Sequence, residues 1–157
     1  MNLLAIATAV VWIDFLVIMI TKKVFVLNSF LNEWYEKYKL TGSLLDCLVF
    51  ILVIMLAFFT VPKTSPFLVF LVAIIYQILH DVLLYYLVII PLPKGENAII
   101  DLFKLYVNRG GVATLFGDTI MMAAMMGLFF YIQRLDPIKL VFALLLGIYS
   151  IGYAVYS

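Results

Sequence analysis

The chain has 157 residues, of which 67% are hydrophobic and 12% charged, with a formal net charge of +1 and a mean hydropathy of +1.20. Soluble domains carry roughly 45–50% apolar and about 25% charged residues, and a chain this short has too much surface for its volume to hide the excess. A soluble fold is therefore excluded, the near-neutral charge removes the electrostatic basis for a nucleic-acid partner, and the single Cys47 permits no intrachain disulfide or CxxC metal site.

A first apolar run predicts a membrane span over about 3–20, ended by Thr21, Lys22 and Lys23. It lacks a basic n-region, is too long for a signal h-region and is followed by no A-x-A site, so it reads as a span and not as a cleaved signal. Asn2 does not fit a myristoylation signal. Over about 26–40, Phe30, Leu31, Trp34, Tyr35 and Tyr38 recur at helical spacing opposite Glu33, Glu36, Lys37 and Lys39. That pattern predicts a helix lying in the interface, with Trp34 and Tyr35 as anchors at headgroup level.

The second span is expected at about 43–61, and the short sequence PKTSP turns it into a third at about 67–90, long enough to cross with some tilt. Pro91 and Pro93 end this span, with Lys94 at the headgroups. A second interfacial helix follows over about 97–108, carrying Phe103 and Tyr106. The sequence RGG reads as a helix stop and turn. Span four is expected at about 112–132, then the turn QRLDP, then span five at about 138–156. The whole is one all-α transmembrane domain over 1–157, a bundle of about five spans with two interfacial amphipathic helices.

With five spans, one side receives seven basic residues (Lys22, Lys23, Lys37, Lys39, Lys94, Lys104, Arg109) and the other three (Lys63, Arg134, Lys139). The positive-inside rule then puts the N-terminus outside and the C-terminus inside. The spans also suggest a parallel internal repeat. Asp14 and Asp81 are 67 residues apart, NSFLNEW from Asn28 resembles NAIIDLF from Asn97 at an offset of 69, Gly42 and Gly111 keep that offset, and Asp46 and Asp118 follow at 72. Each half reads as span, interfacial helix, Gly, span. The matches are loose, and duplication competes with chance.

Four carboxylates, Asp14, Asp46, Asp81 and Asp118, fall inside predicted spans, where each costs about 2.5–3.5 kcal/mol at the bilayer centre. Protonation or a polar partner relieves that cost. Asp46 lies near its span's end, where it is expected to cap the helix with Ser43 or to reach the interface. On span three, Gln77, Asp81 and Tyr85 share a stripe, with His80 turned roughly 100° away, its ring and the Asp81 carboxylate expected to point apart. Thr114 and Asp118 are likewise one turn apart. Asp14, Gln77, His80, Asp81, Thr114 and Asp118 thus make a candidate polar core. Its functional reading is a proton or cation path with the His and carboxylates as relays; its packing reading is hydrogen bonding between spans, at roughly 0.6–2 kcal/mol per contact.

Met121, Met122, Met125 and Met126 predict an adaptable packing surface, and Gly147, Ser150 and Gly152 a small face for close helix contact. No TVGYG-like filter, HExxH, GxSxG or Walker motif is present. The pattern His80-Asp81, Pro91-x-Pro93-x-Gly95-x-Asn97, then Asp101-x-Phe103-Lys104, resembles small polytopic membrane proteins of nucleocytoplasmic large DNA viruses. The resemblance spans Tyr76–Asp118, about a quarter of the chain, and implies a setting, a viral inner membrane beneath the capsid, without implying a catalytic role.

The expected function is a non-enzymatic structural protein of such a membrane. Its partners would be the lipid bilayer and copies of itself or neighbouring membrane and capsid proteins, with no nucleic acid, cofactor or metal. The alternative is a small ion channel or proton-coupled transporter built on the intramembrane Asp and His residues.

Overall fold

The structure, a computed structural model, describes residues 1–23, 29–61, 65–110 and 112–157, without the side chains of 23, 29–32, 109–110 and 112–114. Its described residues form six helices and no strand: α1 (Leu3–Lys23), α2 (Ser29–Thr60), α3 (Pro66–Leu84), α4 (Ala98–Gly110), α5 (Val112–Ile132) and α6 (Pro137–Tyr156). Five segments are long and apolar enough to cross a membrane: Leu3–Lys22, Glu33–Thr60, Pro66–Ile89, Leu115–Ile132 and Pro137–Tyr156. Their outward faces carry large apolar side chains, with Phe142 of α6 70% exposed and Phe59, Phe67 and Phe116 similarly open. Water would penalise such a surface heavily, and lipid tails do not. The chain is an all-α, multi-pass transmembrane bundle.

Local chemistry sets the helix ends. Ser65 Oγ accepts from the Leu68 amide at 3.2 Å, with Pro66 in the first turn, and Asp136 accepts from the Ile138 amide at 2.9 Å ahead of Pro137. Side-chain acceptors there satisfy amides that have no partner within the helix, and proline loses nothing in the first turn. Asn97 does the same for α4, accepting from Ile99 and Ile100 at 2.9 and 3.2 Å. Gly95, at φ +98°, swings its amide onto both oxygens of Asp101, and the Lys104 ammonium donates to the Leu92 carbonyl. The PLPKGEN connection is thereby tied to α4 at two points.

The span begun by α3 ends in a π-helical turn over Tyr85–Ile89, where the Ile90 amide donates to the Tyr85 carbonyl at 2.9 Å. It lies just ahead of Pro91, whose ring cannot fit against the carbonyl four residues back in a regular α-helix. The sequence reading had continued the span without this irregularity.

The first expected interfacial helix is an arm of α2. Residues 29–38 and 40–60 are helical on either side of Lys39, whose backbone (φ 48°, ψ −133°) breaks the helix. A non-glycine residue at that φ stores about 1–3 kcal/mol of strain. The arm's aromatic face turns inward: Trp34 and Tyr35 are 4% and 2% exposed. Their expected placement as headgroup anchors is corrected accordingly, because the bend at Lys39 lays this face against the bundle. Gly42 permits the approach, since a Cβ there would sit 3.0 Å from the Trp34 ring.

Helices α1 and α6 run parallel, side by side. Asn2 Nδ2 donates to the Gln133 carbonyl at 3.1 Å, Thr8 Oγ1 reaches the Leu140 carbonyl at 3.3 Å, Trp12 Nε1 donates to Ala143 at 3.0 Å and Lys22 Nζ to Ala154 at 2.8 Å. At Gly147 a Cβ would meet Val11 Cγ1 at 2.7 Å, so only glycine lets the two backbones come this close. The expected small face reduces to this one residue: nothing lies near Gly152, and Ser150 bonds back to its own helix at Leu146.

Parallel pairing of the first and last spans gives the bundle two unlike ends. At the turn end lie the α2–α3 and α5–α6 connections and the start of α1. Ile6, Val10, Ile54, Ala73, Met122, Met125 and Met126 are fully buried there, and Phe129 packs edge-on to Phe58 at 5.4 Å. The methionine surface is thus a core seam. At the amphipathic end lie the 29–38 arm and α4.

Candidate functional site

In the amphipathic half, five helices surround a cavity of about 530 Å³. Helix α1 supplies Asp14, Val17 and Ile20; the two arms of α2 supply Trp34 and Tyr35, then Asp46, Val49 and Phe50; α3 supplies Gln77, His80, Asp81 and Leu84. Phe103 and Tyr106 come from α4, and Gly117, Asp118, Ile120 and Met121 from α5. All four intramembrane aspartates and the single histidine therefore line one space, with no Lys or Arg lining it among the described residues.

The six-residue core expected from sequence is largely assembled: Asp14, Gln77, His80, Asp81 and Asp118 meet here, while the Thr114 side chain lies outside the described residues. Asp46 joins them. It does not cap a helix start; half-buried, it accepts from the Trp34 indole at 3.0 Å, because α2 continues past it into an arm that folds back over it. The repeat offset pairing Asp46 with Asp118 was the sequence signal for this placement.

The repeat has a spatial counterpart. Asp14 and Asp81, and Asp46 and Asp118, surround the same cavity, and the Trp34 ring packs at a tilt of 48° against that of Phe103, its counterpart at offset 69, with centroids 5.3 Å apart. Each half supplies a span, an amphipathic helix and a second span in that order.

The polar groups of α3 are held from within their own helix. Gln77 Nε2 donates to Asp81 Oδ1 at 2.9 Å, and His80 Nδ1 lies 3.0 Å from the same oxygen. The expectation that the His80 ring and the Asp81 carboxylate point apart is corrected: a turn of about 100° separates the two Cβ positions, but the imidazole bends back far enough to close the pair. Asp14 is wholly buried (0% exposed); its one hydrogen-bonding contact is with the Cys47 thiol of α2, and neither oxygen has an N–H or O–H partner. Its neighbours on α2 are the Cys47 thiol and the Asp46 carboxylate. Asp118 lies in electrostatic range of Asp81 and Asp46. The buried Gln77 Oε1 and Asp81 Oδ2 also have no partner.

The cavity thus gathers four carboxyl groups and a glutamine carbonyl on one otherwise apolar wall. No three His, Cys, Asp or Glu side chains among the described residues are grouped so as to hold a metal ion.

The remaining residues expected as interfacial anchors divide. Phe103 and Tyr106 face the cavity, Lys22 caps the end of α6, Lys94 is exposed, and the Lys23 side chain lies outside the described residues. Tyr85, on the stripe with Gln77 and Asp81, lines a smaller recess with Lys104 and Asn108 instead. Compared with known proteins, the chain matches no family model, no curated protein and no solved structure.

Proposed function

We propose that this protein binds a cation in the cavity of its amphipathic half and passes it across the bilayer, as a small carrier or channel. One observation carries the reading: carboxylates from four helices converge on one space, while the hydrogen bonds of Asp46 and Asp81 stay within their own helices and Asp14 meets only the weakly donating Cys47 thiol of α2. Polar residues kept for packing should bond between spans. Such bonds are made elsewhere, by Thr8, Trp12 and Lys22 between α1 and α6 and by Tyr76 to Thr60 between α3 and α2. Four acidic side chains in a low-dielectric cavity are costly as anions unless protonated or paired, and a positively charged ligand would relieve that cost.

The excess of basic residues beside the arm and α4 supports an orientation with the cavity opening inside and both the N-terminus and the turn end outside. The likeness over Tyr76–Asp118 supports a viral inner membrane as the setting.

The packed turn end favours a second reading, a structural component of that membrane acting through contacts with copies of itself or its neighbours. Cation flux into proteoliposomes, driven by a potential or pH gradient, separates the two. Wild type should conduct, and Asp14→Asn and Asp81→Asn should lose flux with thermal stability undiminished. Absence of flux from folded wild type under every gradient would sink the transport reading and leave the structural one.

A further inference from the structure

We propose that the ligand of this cavity is a small protonated amine, an alkylammonium ion that brings its own N–H donors. The inference rests on the cation-binding reading and narrows it to one chemical class. Six buried side-chain oxygens among the described residues have no N–H or O–H partner; the Tyr38 and Ser43 hydroxyls lie off the cavity lining, and the other four are both of Asp14, Gln77 Oε1 and Asp81 Oδ2. These four belong to residues lining the same cavity, and each can accept a hydrogen bond. A buried acceptor without a donor costs about 1–3 kcal/mol, more when charged. A ligand that relieves several of them must carry several donors and a positive charge. An ammonium group has three N–H bonds and no acceptor, and so matches on both counts.

Size and lining point the same way. A space of about 530 Å³ is in the range of small-molecule sites and far larger than a bare ion fills. Among the described residues no three His, Cys, Asp or Glu side chains are grouped to hold a metal ion. Beside the carboxylates, the wall is apolar and aromatic, with Trp34, Tyr35 and Phe103 contributing rings. Such a wall accommodates the methylenes of an alkylammonium ion and attracts its charge through the ring faces.

The test is isothermal titration of the purified chain in lipid nanodiscs with butylammonium, tetramethylammonium, sodium and potassium chlorides at matched ionic strength. Butylammonium should bind saturably, at least about tenfold more tightly than tetramethylammonium, which has charge but no N–H. Asp14→Asn should weaken butylammonium at least tenfold. Leu84→Trp, which fills the cavity and leaves every carboxylate in place, should do the same even if the Asp14 variant does not fold. Saturable sodium or potassium binding without butylammonium binding would overturn the amine assignment and keep the cation reading. Equal affinity for the two organic ions would overturn the donor argument. A folded wild-type protein that binds none of the four would remove both this inference and the reading on which it rests.

Discussion

At the turn end, Ile6, Val10, Met125, Met126 and Phe129 are closed against one another, while at the amphipathic end the same helices part around a cavity lined by Asp14, Asp46, Asp81 and Asp118. In lipid, apolar side chains gain little from leaving the solvent, so the turn end is held by van der Waals fit. Fit demands close approach and tolerates no void. The amphipathic end gives up that fit and keeps carboxylates whose described bonding between spans is limited to the contact of Asp14 with the Cys47 thiol. The contrast teaches that stability and ligand chemistry are concentrated in different halves of one bundle. Substitutions in the two halves should therefore fail in different ways.

The largest expected effect on stability is at the turn end. Phe129→Ala removes a fully packed ring and should cost about 3 kcal/mol, read by unfolding in micelles. Amine affinity in the fraction that remains folded should be unchanged; a matching loss of affinity would show that the two halves are coupled. Trp34→Phe keeps a ring against Phe103 but deprives Asp46 of its donor. A loss of about 2 kcal/mol is expected, with a change in cavity binding that Phe129→Ala does not cause. Gly147→Ala forces a Cβ against Val11 and should cost about 1–2 kcal/mol through separation of α1 and α6; a neutral result would show that the pair shifts freely.

The smallest effect has the opposite sign. Lys39→Gly relieves the positive-φ joint and should stabilise by about 1 kcal/mol. If it destabilises, the contact of the Lys39 ammonium with the Tyr156 ring, at 4.9 Å, outweighs the strain.

Much of this architecture is legible residue by residue. Five apolar runs of bilayer length, cut by Pro91 and by the QRLDP turn, give the spans, and alternating aromatics and charges give the amphipathic segments. Membership of the site was nearly legible too: depth within a span identified Asp14, Asp81 and Asp118. Asp46 was misjudged because position along the sequence suggested a helix end, whereas α2 continues through it to Lys39 and beyond. Trp34 and Tyr35 were misplaced because the aromatic face of an amphipathic helix looks the same whether it meets lipid or protein. The His80–Asp81 pair was missed because helical angle fixes Cβ directions and not the reach of a ring.

The sequence alone determined how many spans there are, where they end and how deep each carboxylate lies, because run length and proline chemistry act locally and the bilayer fixes the required length. Only the tertiary structure decided which way each span is turned. The spans are apolar nearly all round, so no hydrophobic stripe sets their rotation. That is left to close contacts such as Gly147 on Val11 and Gly42 beneath Trp34. Those contacts turn four aspartates from separate helices toward one shared cavity.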